Sequence, residues 1–158
     1  MARRSVELLD LLTRAERLAA RRVQSVLAEY DCTVEAWRVL DLLADGDGHH
    51  MTALAEHAFL PAPTLTKLVD QLVDQNLVFR RIDPADRRRV LAHLTPRGSD
   101  RHRLLADAVR ADRGAWEPLL DPEDGRRLAL LLDRLTSALH RGDGVSAARA
   151  ERSAGRAR

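Results

Sequence analysis

Residues Leu77 to Gly98 read LVFRRIDPADRRRVLAHLTPRG. Two short strand-like runs flank a turn whose tip is Asp83-Pro84-Ala85-Asp86-Arg87-Arg88. The stretch closes on Thr95-Pro96, a good helix cap followed by a proline at the first helical position. Arg80, Arg81, Arg87, Arg88, Arg89 and Arg97 stand there against only Asp83 and Asp86. A hairpin tip this basic suits the negative minor groove of A·T-rich DNA. An ordinary solvated hairpin carries such charges too, so the elements around it decide.

Upstream, Leu60-Pro61-Ala62-Pro63 makes a tight connection between two helical patterns. The shorter begins at Thr52 (TALAEHA). The longer runs from about Ala62 to Gln75, with Leu65, Leu68, Val69 and Leu72 on its apolar face. Its prolines fall in the first turn, where no N–H has an intrahelical partner. Asn76 sits where helices end in the left-handed conformation. A helix-turn-helix followed at once by a charged hairpin is the layout of a DNA-binding winged helix.

Long helices flank this unit. Val6 to Tyr30 places Leu9, Leu12, Ala19, Val23, Val26 and Tyr30 on one face. A second helix starts at Thr33, carries Trp37, Leu40 and Leu43, and stops at Asp45-Gly46-Asp47-Gly48. After the hairpin, Leu105, Ala108, Val109, Trp116 and Leu119 mark one helix. Leu128, Leu131, Leu132, Leu135 and Leu139 mark another, restarted by Asp121-Pro122-Glu123. The expected fold is therefore mainly α (α+β): a winged helix-turn-helix with about six helices and a two- to three-stranded wing. Residues 1–32 form an N-terminal dimerisation helix, 33–96 the DNA-binding lobe and 97–141 the C-terminal dimerisation helices. Residues 142–158, polar and rich in Gly and Ala, read as a mobile tail. Leucine stripes on the outer helices would leave apolar surface wet in a single copy, and a two-fold homodimer buries such stripes.

Composition agrees. Hydrophobic residues make up 45% of the chain but aromatics only 3%, so Leu, Ala and Val must fill the core. The net charge is only +2, with the basic excess gathered in the hairpin and the last stretch. No apolar run reaches the roughly 20 residues that span a bilayer. Charges at Glu7, Asp10, Arg14 and Glu16 break the pattern of a signal peptide. One cysteine, Cys32, allows no internal disulfide. A cytoplasmic location, with no membrane association, is expected.

The candidate DNA-reading residues follow from geometry. Leu65 and Leu68 must face the core, leaving Ala62, Pro63, Thr64, Thr66, Lys67 and Gln71 toward a major groove. Thr and Lys donate to phosphates, Gln pairs with adenine, and Ala, Pro and the Thr methyl touch thymine methyls. Local capping or back-bonding is the competing role for Thr64 and Thr66. At the hairpin tip, strand alternation sets Asp86 and Arg88 on one side, so that Asp86 braces the Arg88 guanidinium while Arg87 points to phosphate or solvent. An Asp86–arginine pair that only stiffens the loop fits the same residues.

With these motifs in hand, the chain resembles the MarR family of bacterial transcriptional regulators from Val6 to Arg141. The resemblance rests on TVEAWRVLDLL, LAEHAFLPAPTLTKLVDQLVDQNLV and IDPADRRRVLAHLTPRG, the last holding a DxxDRR tip and an LTxxG junction. It implies a homodimer, each lobe reading half of a pseudo-palindromic double-stranded operator, and a repressor released by a small molecule. By position Arg88 resembles the minor-groove arginine and Asp86 its partner, while Pro63, Thr64, Thr66 and Lys67 fall on the recognition helix. Pro61 and Pro63 replace serines common in the family, and Phe59 replaces a common glycine.

Family ligands usually sit between the dimer helices and the lobe, which points to Tyr30, Trp37, Arg38 and Trp116; both tryptophans read more readily as plain core, since aromatics on helical stripes usually are. Cys32 offers an oxidant-responsive alternative, against which stands its reading as a small buried hydrophobe. The six histidines show no i,i+4 pair, so no metal or other cofactor is expected. No nucleophile elbow, phosphate loop or hydrolase motif is present, and an enzyme is not expected. A winged helix used for protein contacts would carry an uncharged tip, which this chain lacks.

Overall fold

The computed structural model describes the backbone of residues 2–116 and 121–154, and the side chains of 7–115 and 121–139. Among the described residues there are six helices and one three-stranded antiparallel sheet. They run α1 (Ala2–Ala28), α2 (Val34–Leu43), β1 (His49–His50), α3 (Met51–Ala58), α4 (Ala62–Asp74), β2 (Val78–Ile82), β3 (Val90–Leu94), α5 (Pro96–Trp116) and α6 (Pro122–Ala154). The sheet order is β1-β3-β2, so the hairpin of β2 and β3 takes β1 as a third strand.

Helix boundaries follow the capping chemistry. Thr33 caps α2 by accepting the Ala36 N–H at 3.1 Å. The Thr95 hydroxyl accepts the Gly98 N–H at 2.9 Å and donates to the Asn76 carbonyl at 2.7 Å, tying the start of α5 to the end of α4. Asn76 is left-handed, with φ 55°. In the turn before β1, hydrogen bonds from the Asp47 N–H and from His49 hold the Asp45 carboxyl below the ordinary carboxylate range.

The chain divides into two units, Met1–Arg113 and Gly114–Arg158. The core of the first is aliphatic: Leu27, Val39, Leu40, Leu43, Leu54, Leu65, Val69, Val78 and Leu105 are all but completely buried. The last turns of α1 therefore belong to this core through Leu27, outside the stripe expected from the sequence. Leu9, expected on that stripe, is 65% exposed. In the second unit α6 continues to Ala154, into the stretch expected as a mobile tail. The run AARAERSA (147–154) is rich in strong helix formers, and they outweigh Gly142 and Gly144. Residues 155–158, at the end of that expected tail, and Leu119 lie outside the described residues.

Candidate nucleic-acid interface

α4 separates its residues as a groove-reading helix must. Leu65, Val69 and Leu72 are buried, whereas Ala62, Pro63, Thr64, Thr66, Lys67 and Gln71 are exposed. The helix starts after Pro61 without a side-chain cap. The Thr66 hydroxyl donates to the Ala62 carbonyl at 2.9 Å. Its proton is thus spent inside the helix, and the methyl and lone pairs remain for an outside partner. Arg80 on β2 reaches the Asp70 carboxylate on α4 at 2.7 Å, an ion pair between wing and recognition helix that the periodicity of neither element announces.

The wing pairs Val78 with Leu94 through to Ile82 with Val90. Beyond that last pair the backbone leaves strand geometry. The Asp83 N–H donates to the Arg89 carbonyl, and the Arg89 N–H to the Asp86 carbonyl, each at 2.9 Å. Inside the loop the Asp83 carboxylate accepts the Ala85 N–H at 2.8 Å. The Asp86 carboxylate accepts the Arg88 N–H at 3.0 Å.

These bonds correct one expectation. Asp86 does not brace the Arg88 guanidinium; its side chain pairs with Arg89 Nε at 3.2 Å. Two-residue alternation holds for extended strands. Residues 83–89 form a turn, in which a residue faces the one three places on. The Arg87 and Arg88 side chains are exposed and have no ion-pair partner among the described residues.

Residues 30–89 match the family profile of the MarR family. A transcriptional regulator of Escherichia coli O111:H-, HosA, is 30% identical over 102 residues, covering 65% of this chain and 73% of that protein. The chain belongs to the MarR family. A protein ascribed to transcriptional regulation of the hcr operon in Thauera aromatica is 33% identical over 94 residues, a match of 59% of this chain and 57% of that protein. Among solved structures, NadR in complex with 4-hydroxyphenylacetate aligns with a TM-score of 0.71 and 28% identity, over 78% of this chain and 88% of that one. The chain is thus a MarR-family transcriptional regulator with a winged-helix DNA-binding fold.

Of the residues expected to meet an effector in this MarR-family chain, Tyr30, Trp37 and Arg38 each engage a different partner. Trp37 stacks on His102 of α5, with centroids 5.2 Å apart and planes 8° off parallel, and His102 Nε2 lies 3.0 Å from Asp41. The Arg38 guanidinium stands 5.2 Å from the centroid of the Phe59 ring. Tyr30 is half-buried, its carbonyl accepting a hydrogen bond from Arg101. The Trp116 side chain lies outside the described residues. Open clefts of about 580, 590 and 410 Å³ mark the lobe, and Tyr30, Trp37 and Arg38 line none of the three.

Cys32 is buried, its thiol donating weakly to the Thr33 carbonyl at 3.4 Å. Burial pushes its pKa up, against a smaller downward pull from Arg101. Among the described residues no three His, Cys, Asp or Glu side chains are placed to hold a metal ion. No helix there is long and apolar enough to cross a membrane.

Proposed function

We propose that this chain is a homodimeric, sequence-specific repressor that is released from its operator by a small-molecule effector. The observation that carries this reading is the exposed polar face of α4 beside a wing whose Arg87 and Arg88 have no ion-pair partner among the described residues. In the proposed complex Ala62, Pro63, Thr64, Thr66, Lys67 and Gln71 enter a major groove, while Arg88 enters the adjoining minor groove. Asp86 acts indirectly, by holding the loop, and Arg87 meets phosphate.

Dimerisation rests on each outer helix taken by itself. On α1, Leu8, Leu9, Leu11 and Leu18 are more than half exposed. On α6, Leu130, Leu131 and Leu139 are so too. Apolar rows of this extent mark interfaces, and a two-fold pairing buries each row against its copy. Light scattering is then expected to return twice the 17.7 kDa of one chain. A monomer at micromolar concentration contradicts the dimer.

The deciding experiment is fluorescence anisotropy on the duplex upstream of the chain's own gene, at several salt concentrations, with and without random competitor DNA. Nanomolar binding that survives competitor is expected. It should weaken by about 1–3 kcal/mol in Arg88→Ala. Binding erased by competitor contradicts sequence specificity. Effector release is tested on the same complex with aromatic carboxylic acids, starting from 4-hydroxyphenylacetate, the molecule bound by NadR. Tyr30, Trp37, Arg38 and Trp116 are the residues to substitute if one of them releases the DNA. A thiol-based alternative through Cys32 predicts release by peroxide instead, and the raised pKa of that buried thiol argues against it.

A further inference from the structure

The wing loop leaves the body of the lobe at its least supported end. The outermost strand pair is Ile82 with Val90, and both side chains are exposed. The third strand stops short of it, pairing His49 with Ala92 and His50 with Leu91. From the end of that strand the His50 side chain continues the support, with Nε2 3.5 Å from Oδ2 of Asp83.

Asp83 is where such support takes effect. It is the first residue of the loop, and its side chain is only 14% exposed. Its Oδ1 accepts the Ala85 N–H at 2.8 Å, and its own N–H closes the loop onto the Arg89 carbonyl at 2.9 Å. One carboxylate oxygen thus shapes the turn while the other faces His50. A carboxylate oxygen held in so small an exposed area gains from a donor that faces it. The imidazolium or the Nε2-protonated neutral ring supplies one. His50 is also held from below, since it is the residue from which α3 starts, with φ −67° and ψ 152°. Among the described residues this is the only side-chain hydrogen bond or ion pair between the helix-turn-helix and loop residues 83–89. The Arg80–Asp70 pair grips a strand, below the loop.

We propose that His50 is a positioning residue for DNA binding: through Asp83 it fixes the angle at which the wing loop presents Arg88. The inference rests on the proposed reading of Arg88 as a DNA contact. It requires that losing the His50 donor matter only while Arg88 is there to be positioned.

The test is a double-mutant cycle over wild type, His50→Phe, Arg88→Ala and the double variant, read as operator affinity by anisotropy. His50→Gln, which restores a donor near the Nε2 position, serves as the conservative rescue. His50→Phe is expected to weaken binding about threefold, the scale of one partly exposed ion pair. His50→Gln should recover most of that loss, and His50→Phe should add nothing in the Arg88→Ala background. A loss of equal size in both backgrounds, or no loss at all, overturns the proposal. If Arg88→Ala itself leaves affinity unchanged, the reading of the wing as a DNA contact fails first, a result distinct from the other two. Hydrogen exchange on the free protein gives a readout independent of DNA and of whole-chain stability. In His50→Phe, amides of 83–89 should exchange faster while those of 62–74 keep the wild-type rate. Unchanged exchange in the loop overturns the proposal. Asp83→Asn, which keeps an oxygen for Ala85, repeats the measurement from the other side should His50→Phe fold poorly.

Discussion

Gly98, in the first turn of α5, lies directly against the carbonyl of Leu77: a Cβ built on it would fall 1.9 Å from that oxygen. The same carbonyl accepts the Thr95 N–H at 3.0 Å, so it cannot swing aside without breaking the junction between the end of α4 and the start of α5. The glycine is required by close approach, since its φ is an ordinary one.

Gly98→Ala is therefore expected to destabilise the lobe, even though alanine is the better helix former. The helical gain is about 1 kcal/mol. A backbone collision that moves Leu77 costs about 3 kcal/mol or more, and the collision wins by about 2 kcal/mol. Gly114, near the end of α5, has nothing within 4 Å of where a Cβ would stand, and Gly114→Ala should stabilise by about 0.5 kcal/mol. Urea denaturation of the two variants checks the pair; equal effects would contradict the junction.

Asp86 gives a second prediction, because its side chain has two separable tasks. Asp86→Asn keeps an oxygen for the Arg88 N–H and loses only the exposed ion pair with Arg89, which is worth about 0.2–1 kcal/mol. Operator affinity should stay within about fivefold of wild type. Arg88→Ala should cost about 1–3 kcal/mol and relax preference at the minor-groove position. Anisotropy on the operator separates the two. Were Asp86→Asn as damaging as Arg88→Ala, Asp86 would be bracing Arg88 after all.

Much of this was legible in the sequence because it is local. Thr33, Asn76 and Thr95-Pro96 signal helix ends through bonds made within a few residues, and each behaves as its chemistry dictates. The α4 face follows from a period of 3.6. Two-residue alternation ends with the strands, because the loop is a turn, and Asp86 therefore meets Arg89 and not Arg88. What was missed is non-local. His50 and Asp83 meet only because a two-residue strand adds to β3 in one register, and two residues are too few to show a period. Arg80 and Asp70 meet only once the wing folds back along α4. α6 runs on past Gly142 and Gly144 because the Ala and Arg residues after them are strong helix formers, a summed preference that two glycines do not cancel.

Phe59 supplies a third prediction. It ends α3 in the left-handed conformation, with φ 56° and ψ 43°, yet it is 79% exposed. A bulky residue pays about 1–2 kcal/mol in that conformation, and its one visible return is an exposed contact with Arg38, worth about 0.5–1 kcal/mol. Asn tolerates the conformation, so Phe59→Asn should raise stability by about 0.5 kcal/mol with little change in helix content. A drop in the thermal midpoint would show that Phe59 contributes more packing than its exposure indicates.

Cys32 gives the last, and it bears on the choice between a ligand-released and an oxidant-released regulator. Burial raises the thiol pKa above its ordinary value, so at neutral pH the reactive thiolate is scarcer than in a free thiol. Labelling by iodoacetamide at pH 7.5 should run well below the rate of an unfolded cysteine peptide, and denaturant should restore that rate. The linkage has a definite sign. A folded pKa above the unfolded one favours the protonated folded state, so this group's contribution to stability is complete below the unfolded thiol pKa and is lost as pH rises through the folded one. Wild type should therefore lose stability relative to Cys32→Ala on the alkaline side, with no divergence between pH 6 and 8. Fast labelling of the native protein at pH 7.5, together with peroxide release of the operator that Cys32→Ala abolishes, would instead make Cys32 the sensor.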